Sequence, residues 1–452
     1  YNPKRVMTPL KRTNPQKGLD IDPGWVPISW EEAQDILEQK LRAARQEDPR
    51  GIVISSFDGA NLLDLVAAWG IAVGTCNSYW VGYFCGQYLH SSMYLTNGTF
   101  HCDFDPEYCK YLLLFGNQAG FMAGLSPNIT SQKVAQGRKR GLKIVVVDPI
   151  CNNAAAKADE WIPVKPGTDG ALVLAMTNVL LNELGIYDKE FLKKHTNAPY
   201  LVKPDGLYMR QGNKPMVWDS KENKAKPFDA HVEDYALSGS YDVEGTKCSP
   251  AFELLKEHVK QYTPEMAAEI TTLPAATIRR IAEEFGRAAS IGSTVNVDGV
   301  ELPLRPAAAN IYRGAGAHKH GVMVALAIQT LNMIVGSFYV PGGHRGMNLI
   351  GPSWSWSPSQ IDGLVVTPPV LGHGANYYNY EVKEPQTMAL DELFPISTNR
   401  SPLMLLSSVE PEKYKLPYKP KVLLVCRRNL FRGGVDYELT AEAMKNYEFI
   451  AS

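Results

Sequence analysis

The chain has 452 residues, 45% apolar and 21% charged, the composition of a soluble globular protein of two or three domains that can bury a large core. Its 46 basic and 47 acidic side chains leave a formal charge of −1, so no global field favours nucleic acid or a membrane surface and binding has to come from local sites. Seven cysteines (Cys76, Cys85, Cys102, Cys109, Cys151, Cys248 and Cys426) are odd in number and lack Cys-x-x-Cys spacing, which leaves no disulfide framework and no cysteine-only zinc or iron–sulfur site readable.

In chain order, a basic, proline-containing entry (Pro9-Leu-Lys-Arg12) precedes Ser29-Trp-Glu-Glu32, whose capping-box spacing opens a helix with apolar positions Ala33, Ile36, Leu37 and Leu41. Residues 51–57 read as a strand and 62–73 as the helix after it. Two continuous apolar runs follow, Leu112–Phe115 and Lys143–Val147, with a helix expected from about Ser126 to Arg140 between them. Buried parallel strands have this all-apolar pattern, and ligands of open α/β sheets sit at the carboxyl ends of such strands. The first run enters Gly116-Asn-Gln-Ala-Gly120, the second enters Asp148-Pro149, and Pro166-Gly-Thr-Asp169 opens a further apolar helix. Asn117, Asp148 and Asp169 are therefore expected near one crevice.

Residues 200–248, rich in Lys, Asp, Gly and Tyr with short β-like pieces such as 215–218, read as a surface excursion. Helices return at 252–255, from Thr263, and at 274–287, where Ile278, Ile281, Ala282 and Phe285 share one face. A glycine-rich stretch, 311–321, carries His318 and His320. The apolar run 322–340 contains Gln329, Thr330 and Asn332, which favours a helix buried in a core over a membrane span. Residues 341–400 read as a long functional loop, and Lys421–Val425 as a strand ending at Arg427–Asn429. Tyr1 stands in running text and a new strand begins at Phe449, so the chain reads as a segment of something longer. A removed leader or a preceding domain stays open, as does a cytoplasmic or periplasmic location.

Ten fragments in order resemble the dimethyl sulfoxide reductase superfamily, the molybdenum or tungsten bis-pterin-dinucleotide oxidoreductases. They are Tyr1-Asn-Pro-Lys-Arg5, Pro9-Leu-Lys-Arg12, Ile28-Ser-Trp-Glu-Glu-Ala33, Leu113-Leu-Phe-Gly-Asn117, Val146-Val-Asp-Pro149, Ala158-Asp-Glu-Trp161, Pro166-Gly-Thr-Asp-Gly-Ala-Leu172, Tyr262-Thr-Pro-Glu265, Ile278-Arg-Arg-Ile281 and Pro341-Gly-Gly343. The resemblance implies an α/β fold of two interleaved domains with parallel, helix-covered sheets, each gripping one pterin dinucleotide. One domain would comprise residues 1–84 plus 290–452 and the other, Rossmann-like, residues 85–289. It also implies an iron–sulfur segment before Tyr1 or in a partner subunit, and a barrel after Ser452.

The cofactor implied is bis-molybdopterin guanine dinucleotide with Mo or W. In thiolate-ligated branches of the family, Gly-Thr/Ser-x-Asn is followed eight residues later by the metal's Cys or selenocysteine. Here Gly74-Thr-Cys-Asn77 is followed at that spacing by Cys85, with Cys76 the nearby rival. A soft thiolate suits an ion already held by dithiolene sulfurs. Gly86 stands where formate dehydrogenases carry a histidine, which counts against formate; Tyr83-Phe-Cys85 is written more like acetylene hydratase. His90 reads as an acid–base group near the metal or as an ordinary supporting histidine.

The resemblance assigns Asn117, with Gly116, to the first pterin dinucleotide, and Asp148, Pro149, Gly167 and Asp169 to ribose and guanine. Asp169 also suits the first turn of a helix by complementing its dipole. For the other domain, Gly314, His318 and His320 belong to a second cofactor-facing loop, and Arg427 and Asn429 follow a strand end. Trp354, Trp356 and Tyr377 to Tyr380 line a substrate funnel or pack as a surface loop. Three functions follow: an oxidoreductase moving an oxygen atom or two electrons and a proton on a small substrate, a non-redox hydratase, and a cofactor-free scaffold in an electron-transfer complex.

Overall fold

The computed structural model describes residues 2–56, 69–70, 72–75, 77–80, 87–99, 101–117, 127–347, 359–361, 364–366, 408–413, 418–426, 429–433 and 436–452. The chain divides into two compact units, one of Tyr1–Gln87 with Ile350–Ser452 and one of Tyr88–Leu349.

In the first unit, four parallel strands lie in the order Phe449–Ala451, Val422–Cys426, Ile52–Ser56, Ser78–Trp80. The helix Trp30–Glu47 begins where the capping-box spacing puts it, with Ser29 Oγ accepting the Glu32 N–H at 3.1 Å. Glu32 pairs with Lys11 at 3.0 Å. A residue from each end of the chain thus joins one sheet, since Val422 pairs with Ile52 and both are buried against Ala44 of that helix.

The second unit holds most of the expected cofactor residues. Its elements are α1 (Gln87–Asn97), β1 (His101–Phe104), β2 (Tyr111–Phe115), α2 (Pro127–Lys139), β3 (Lys143–Val147), β4 (Glu160–Ile162), α3 (Asp169–Asn178), α4 (Ala275–Ala288), β5 (Ala307–Ile311), α5 (Gly321–Ile334) and β6 (His344–Met347). Strands β5, β2, β3 and β4 form a parallel sheet in that order. Alternate residues feed two cores. Leu113, Phe115, Val145, Val147 and Ile311 join the core that contains Leu172, Val173, Ile281 and Phe285, whereas Leu112, Leu114, Ile144 and Val146 join Val134 of α2 on the other face. Strands covered on both faces need apolar side chains at every position, which explains the continuous runs.

The expected boundary near residue 290 is corrected by β5. Ala307–Ile311 pairs in parallel with Tyr111–Phe115, which puts residues 290–349 with the second unit. Alanines at 307, 308 and 309 carry no large side chains, and Asn332 of α5 secures the strand: its amide donates to Ala309 O at 2.8 Å and accepts the Ala309 N–H at 2.7 Å. Helix α5 stops at Ile334, short of the apolar run's end, ahead of Gly336 at φ +72°. Among the described residues no single helix is long and apolar enough to cross a membrane.

The excursion is more ordered than its composition suggests. It folds into two small antiparallel sheets, one of 210–211, 214–219 and 224–227 and one of 241–243, 246–250 and 201–202. Asp219 anchors it, accepting from Lys226 Nζ at 2.7 Å and from the backbone N–H groups of Lys221 and Glu233 at 3.0 Å.

Candidate cofactor site

Strand β3 lies on one side of β2 and β5 on the other, so the chain reverses its direction of winding at β2. Such a switch point leaves a crevice at the carboxyl ends of the strands, the usual ligand position in open α/β sheets. The loop after β2 begins at Gly116, whose N–H donates to Val147 O at 3.0 Å and whose carbonyl accepts the Gly314 N–H at 2.9 Å. The two glycine loops therefore meet backbone to backbone. Gly116 has φ +55°, and a Cβ there would sit 2.1 Å from Ala315 N; a Cβ on Gly314 would sit 2.7 Å from Gly116 O. Only glycine permits this approach, which leaves bare backbone at the switch point.

Asn117, next in the chain, is fully buried. Asp148, at the end of β3, is also buried and accepts from the Ile150 N–H (3.0 Å) and from Asn152 Nδ2 (2.8 Å), while its carbonyl takes the Trp161 indole N–H at 2.8 Å. Asn152 in turn accepts from the N–H groups of Ala154 and Ala155. Sequence reasoning missed Asn152, although a polar residue four positions after the strand-end Asp is a usable sign of such a turn.

Asp169 opens α3 and is 2% exposed. Its Oδ1 has no hydrogen-bond partner among the described residues. Burial, joined by repulsion from Asp148, pushes this carboxyl up to about 7 against the pull of its own N–H. Asp148 and Asp169 are thus close enough to interact, at the same end of the sheet as Asn117. Gly167, exposed with φ +75°, makes the turn before α3, and Pro149 is exposed.

The histidines of the second loop fasten that loop. His318 Nδ1 accepts the His320 N–H at 3.2 Å, which leaves the proton on Nε2 to donate to Ala315 O at 3.1 Å. His320 is exposed at the start of α5 and its side chain makes no cap hydrogen bond. His90 is buried on α1 with its ring edge-on to His101, centroids 6.1 Å apart. His101 and His344, both buried in the β1/β6 pair, were not anticipated. Neither was Asp103, which burial lifts to about 6 and which accepts from Asn310 at 3.2 Å.

Cys85, its rival Cys76, Gly120, Arg427, Trp354, Trp356 and Tyr377 to Tyr380 lie outside the described residues. Among the described residues no group of three His, Cys, Asp or Glu side chains could hold a metal ion. Asn429 belongs to the first unit and is exposed just before the short helix Leu430–Gly433. The residues gathered in the second unit fit a nucleotide: a buried acceptor oxygen with no partner among the described residues suits a base carrying N–H donors, beside two glycine loops that carry no side chain to block its approach.

Comparison with known proteins gives a concordant family. Residues 5–431 match the molybdopterin oxidoreductase family. A sulfite dehydrogenase of Allochromatium vinosum is 32% identical over 384 residues, covering 76% of this chain and 38% of that protein. The molybdopterin-containing component of arsenate respiratory reductase from Shewanella is 28% identical, covering 76% of this chain and 35% of that protein. The chain thus spans little more than a third of the length of these relatives. Acetylene hydratase from Pelobacter acetylenicus shares the fold, with a TM-score of 0.57 at 21% identity over 99% of this chain and 52% of that one. With a family match over nearly its whole length, on a sheet whose carboxyl ends present the expected glycine loops and buried acids, the chain belongs to the molybdopterin oxidoreductase family.

Proposed function

We propose that this chain is the pterin-dinucleotide-binding part of a molybdenum or tungsten oxidoreductase that moves an oxygen atom, or two electrons and a proton, on a small substrate. The observation that carries the reading is the buried Asp169 oxygen with no partner among the described residues, beside two glycine loops at a topological switch point. A buried acceptor is costly unless a ligand supplies the donor. Asn117 and the loops that begin at Gly116 and Gly314 would line the pterin and diphosphate, and Asp169, with Asp148 beside it, would receive the guanine and ribose donors. Cys85 would be the protein's ligand to the metal. When bound, the metal and its dithiolenes supply the redox chemistry; the protein binds, orients and desolvates.

Several relatives are named for redox reactions of oxyanions, among them sulfite and arsenate. That supports a small oxyanion or a related oxo compound as substrate, with electrons exchanged through an iron–sulfur segment or partner subunit. The test uses the full-length holoenzyme. Oxidation of reduced viologen by arsenate, selenate, perchlorate or a sulfoxide, or ferricyanide reduction by sulfite, with electrons and product in fixed stoichiometry, supports the reading. Hydration of an unsaturated substrate without electron flow would favour the hydratase, and folded protein with neither metal nor guanine nucleotide would favour the scaffold.

A further inference from the structure

Tyr88 stands three residues after Cys85, in the first turn of α1, and is joined to the second glycine loop. Its hydroxyl donates to Tyr312 O at 2.5 Å. Its ring lies against Gly316 so closely that a Cβ there would fall 2.1 Å from Cε2, 2.4 Å from Cδ2 and 2.5 Å from Cζ. Gly316 is buried, and its carbonyl accepts the His318 N–H at 2.8 Å, so the ring bears on the same turn that His318 ties to Ala315. On the far side the loop meets β2: Tyr312 N–H donates to Phe115 O, and Gly314 N–H to Gly116 O. The Tyr312 ring also receives His101 edge-on at 6.1 Å, and His101 receives His90.

One aromatic side chain therefore spans from the start of α1 to the loop whose backbone seats on Gly116. A surface tyrosine would need no glycine under its ring. Gly316 gives this one a fitted seat, and its hydroxyl satisfies the carbonyl of the residue that carries β5 into the loop.

We propose that Tyr88 is a positioning residue, keying the Gly314–Gly321 loop to the start of α1, so that the cofactor-facing backbone is held in register against Gly116. This rests on the function proposed above. Tyr88 contacts backbone atoms of the loop, and its role toward the cofactor is indirect.

The test compares full-length holoenzyme carrying Tyr88→Leu, Tyr88→Phe or Gly316→Ala with a control, Leu192→Ala, which removes a fully packed side chain from the same unit on the helix Lys189–His195. Three quantities are read: guanine nucleotide retained per chain after dialysis, the paramagnetic spectrum of the metal, and hydrogen exchange of the amides from 312 to 321. Tyr88→Leu and Gly316→Ala should lower nucleotide retention severalfold, shift the metal spectrum and speed loop exchange at least tenfold. Tyr88→Phe, which keeps the ring, should restore most of the retention and the spectrum. Leu192→Ala should lower the melting temperature and leave both nearly unchanged. Wild-type retention and spectrum in Tyr88→Leu, or losses in Leu192→Ala equal to those in Tyr88→Leu, would overturn the proposal. If wild-type protein itself held no metal or nucleotide, the proposed function would fail instead.

Discussion

Asp169 makes opposite contributions to the empty fold and to the proposed complex, and replacing it with Asn separates them. Burial first, and Asp148 second, raise its folded-state value from 3.8 to about 7. A carboxyl whose folded value is raised binds its proton more tightly in the native state. Its contribution is therefore fully present below about pH 4 and is lost as the pH rises through about 7. At about 1.4 kcal/mol per tenfold change in proton affinity, ionised Asp169 costs the cofactor-free fold on the order of 4 kcal/mol at pH 8.5. Asp169→Asn abolishes that penalty and keeps the shape. The variant should then be ahead by roughly 1.7 kcal/mol at pH 5, where the unfolded carboxyl is already ionised and the folded one is not, and by up to about 4 kcal/mol at pH 8.5, less the ~0.3–1 kcal/mol lost at the helix terminus. Urea denaturation at the two pH values measures the difference. The same variant should retain less guanine nucleotide, because Asn offers the base one acceptor oxygen and an N–H₂ in place of a second. An unchanged stability difference between pH 5 and pH 8.5 would refute the burial argument, and full nucleotide retention would remove Asp169 from the site.

Two further outcomes follow from the same unit. Gly116→Ala drives a methyl group into the Ala315 backbone at a positive φ, so it should cost more than about 2 kcal/mol in denaturation experiments and release cofactor from the holoenzyme, with Gly314→Ala acting in the same direction. Asn332→Ala leaves the N–H and C=O of Ala309 without their side-chain partners inside the core; calorimetry should show a loss of roughly 2–4 kcal/mol and hydrogen exchange a faster Ala309 amide.

What could be read beforehand was what local pattern controls. Strands β2 and β3 carry unbroken apolar runs because both faces are covered, and Ser29 caps its helix because the donor it satisfies is three residues away. Helix α4 kept Ile278, Ile281, Ala282 and Phe285 on the buried face that their spacing gives. Strand β5 was not legible: Ala307-Ala-Ala-Asn-Ile311 has a weak β preference, and its place beside β2 is set by Asn332, more than twenty residues later. That long-range pairing moved the boundary placed near residue 290. The excursion hid its order for a similar reason, since Asp219 gathers backbone donors from two separate turns. At the site, Asn117, Asp148 and Asp169 come to one end of one sheet. His318 spends its ring on its own loop, and Asn152, Tyr88 and Asp103 carried no motif that would have singled them out.

The central claim, that this fold carries a metal between two pterin guanine dinucleotides, is tested most directly by cofactor content. Full-length protein purified without oxygen should be assayed for molybdenum and tungsten by elemental analysis and for guanine nucleotide after acid release. The expected result is metal and guanine nucleotide in about a one-to-two ratio, with the nucleotide reduced in Asp169→Asn and Gly116→Ala protein. Folded protein holding neither metal nor guanine nucleotide would contradict it.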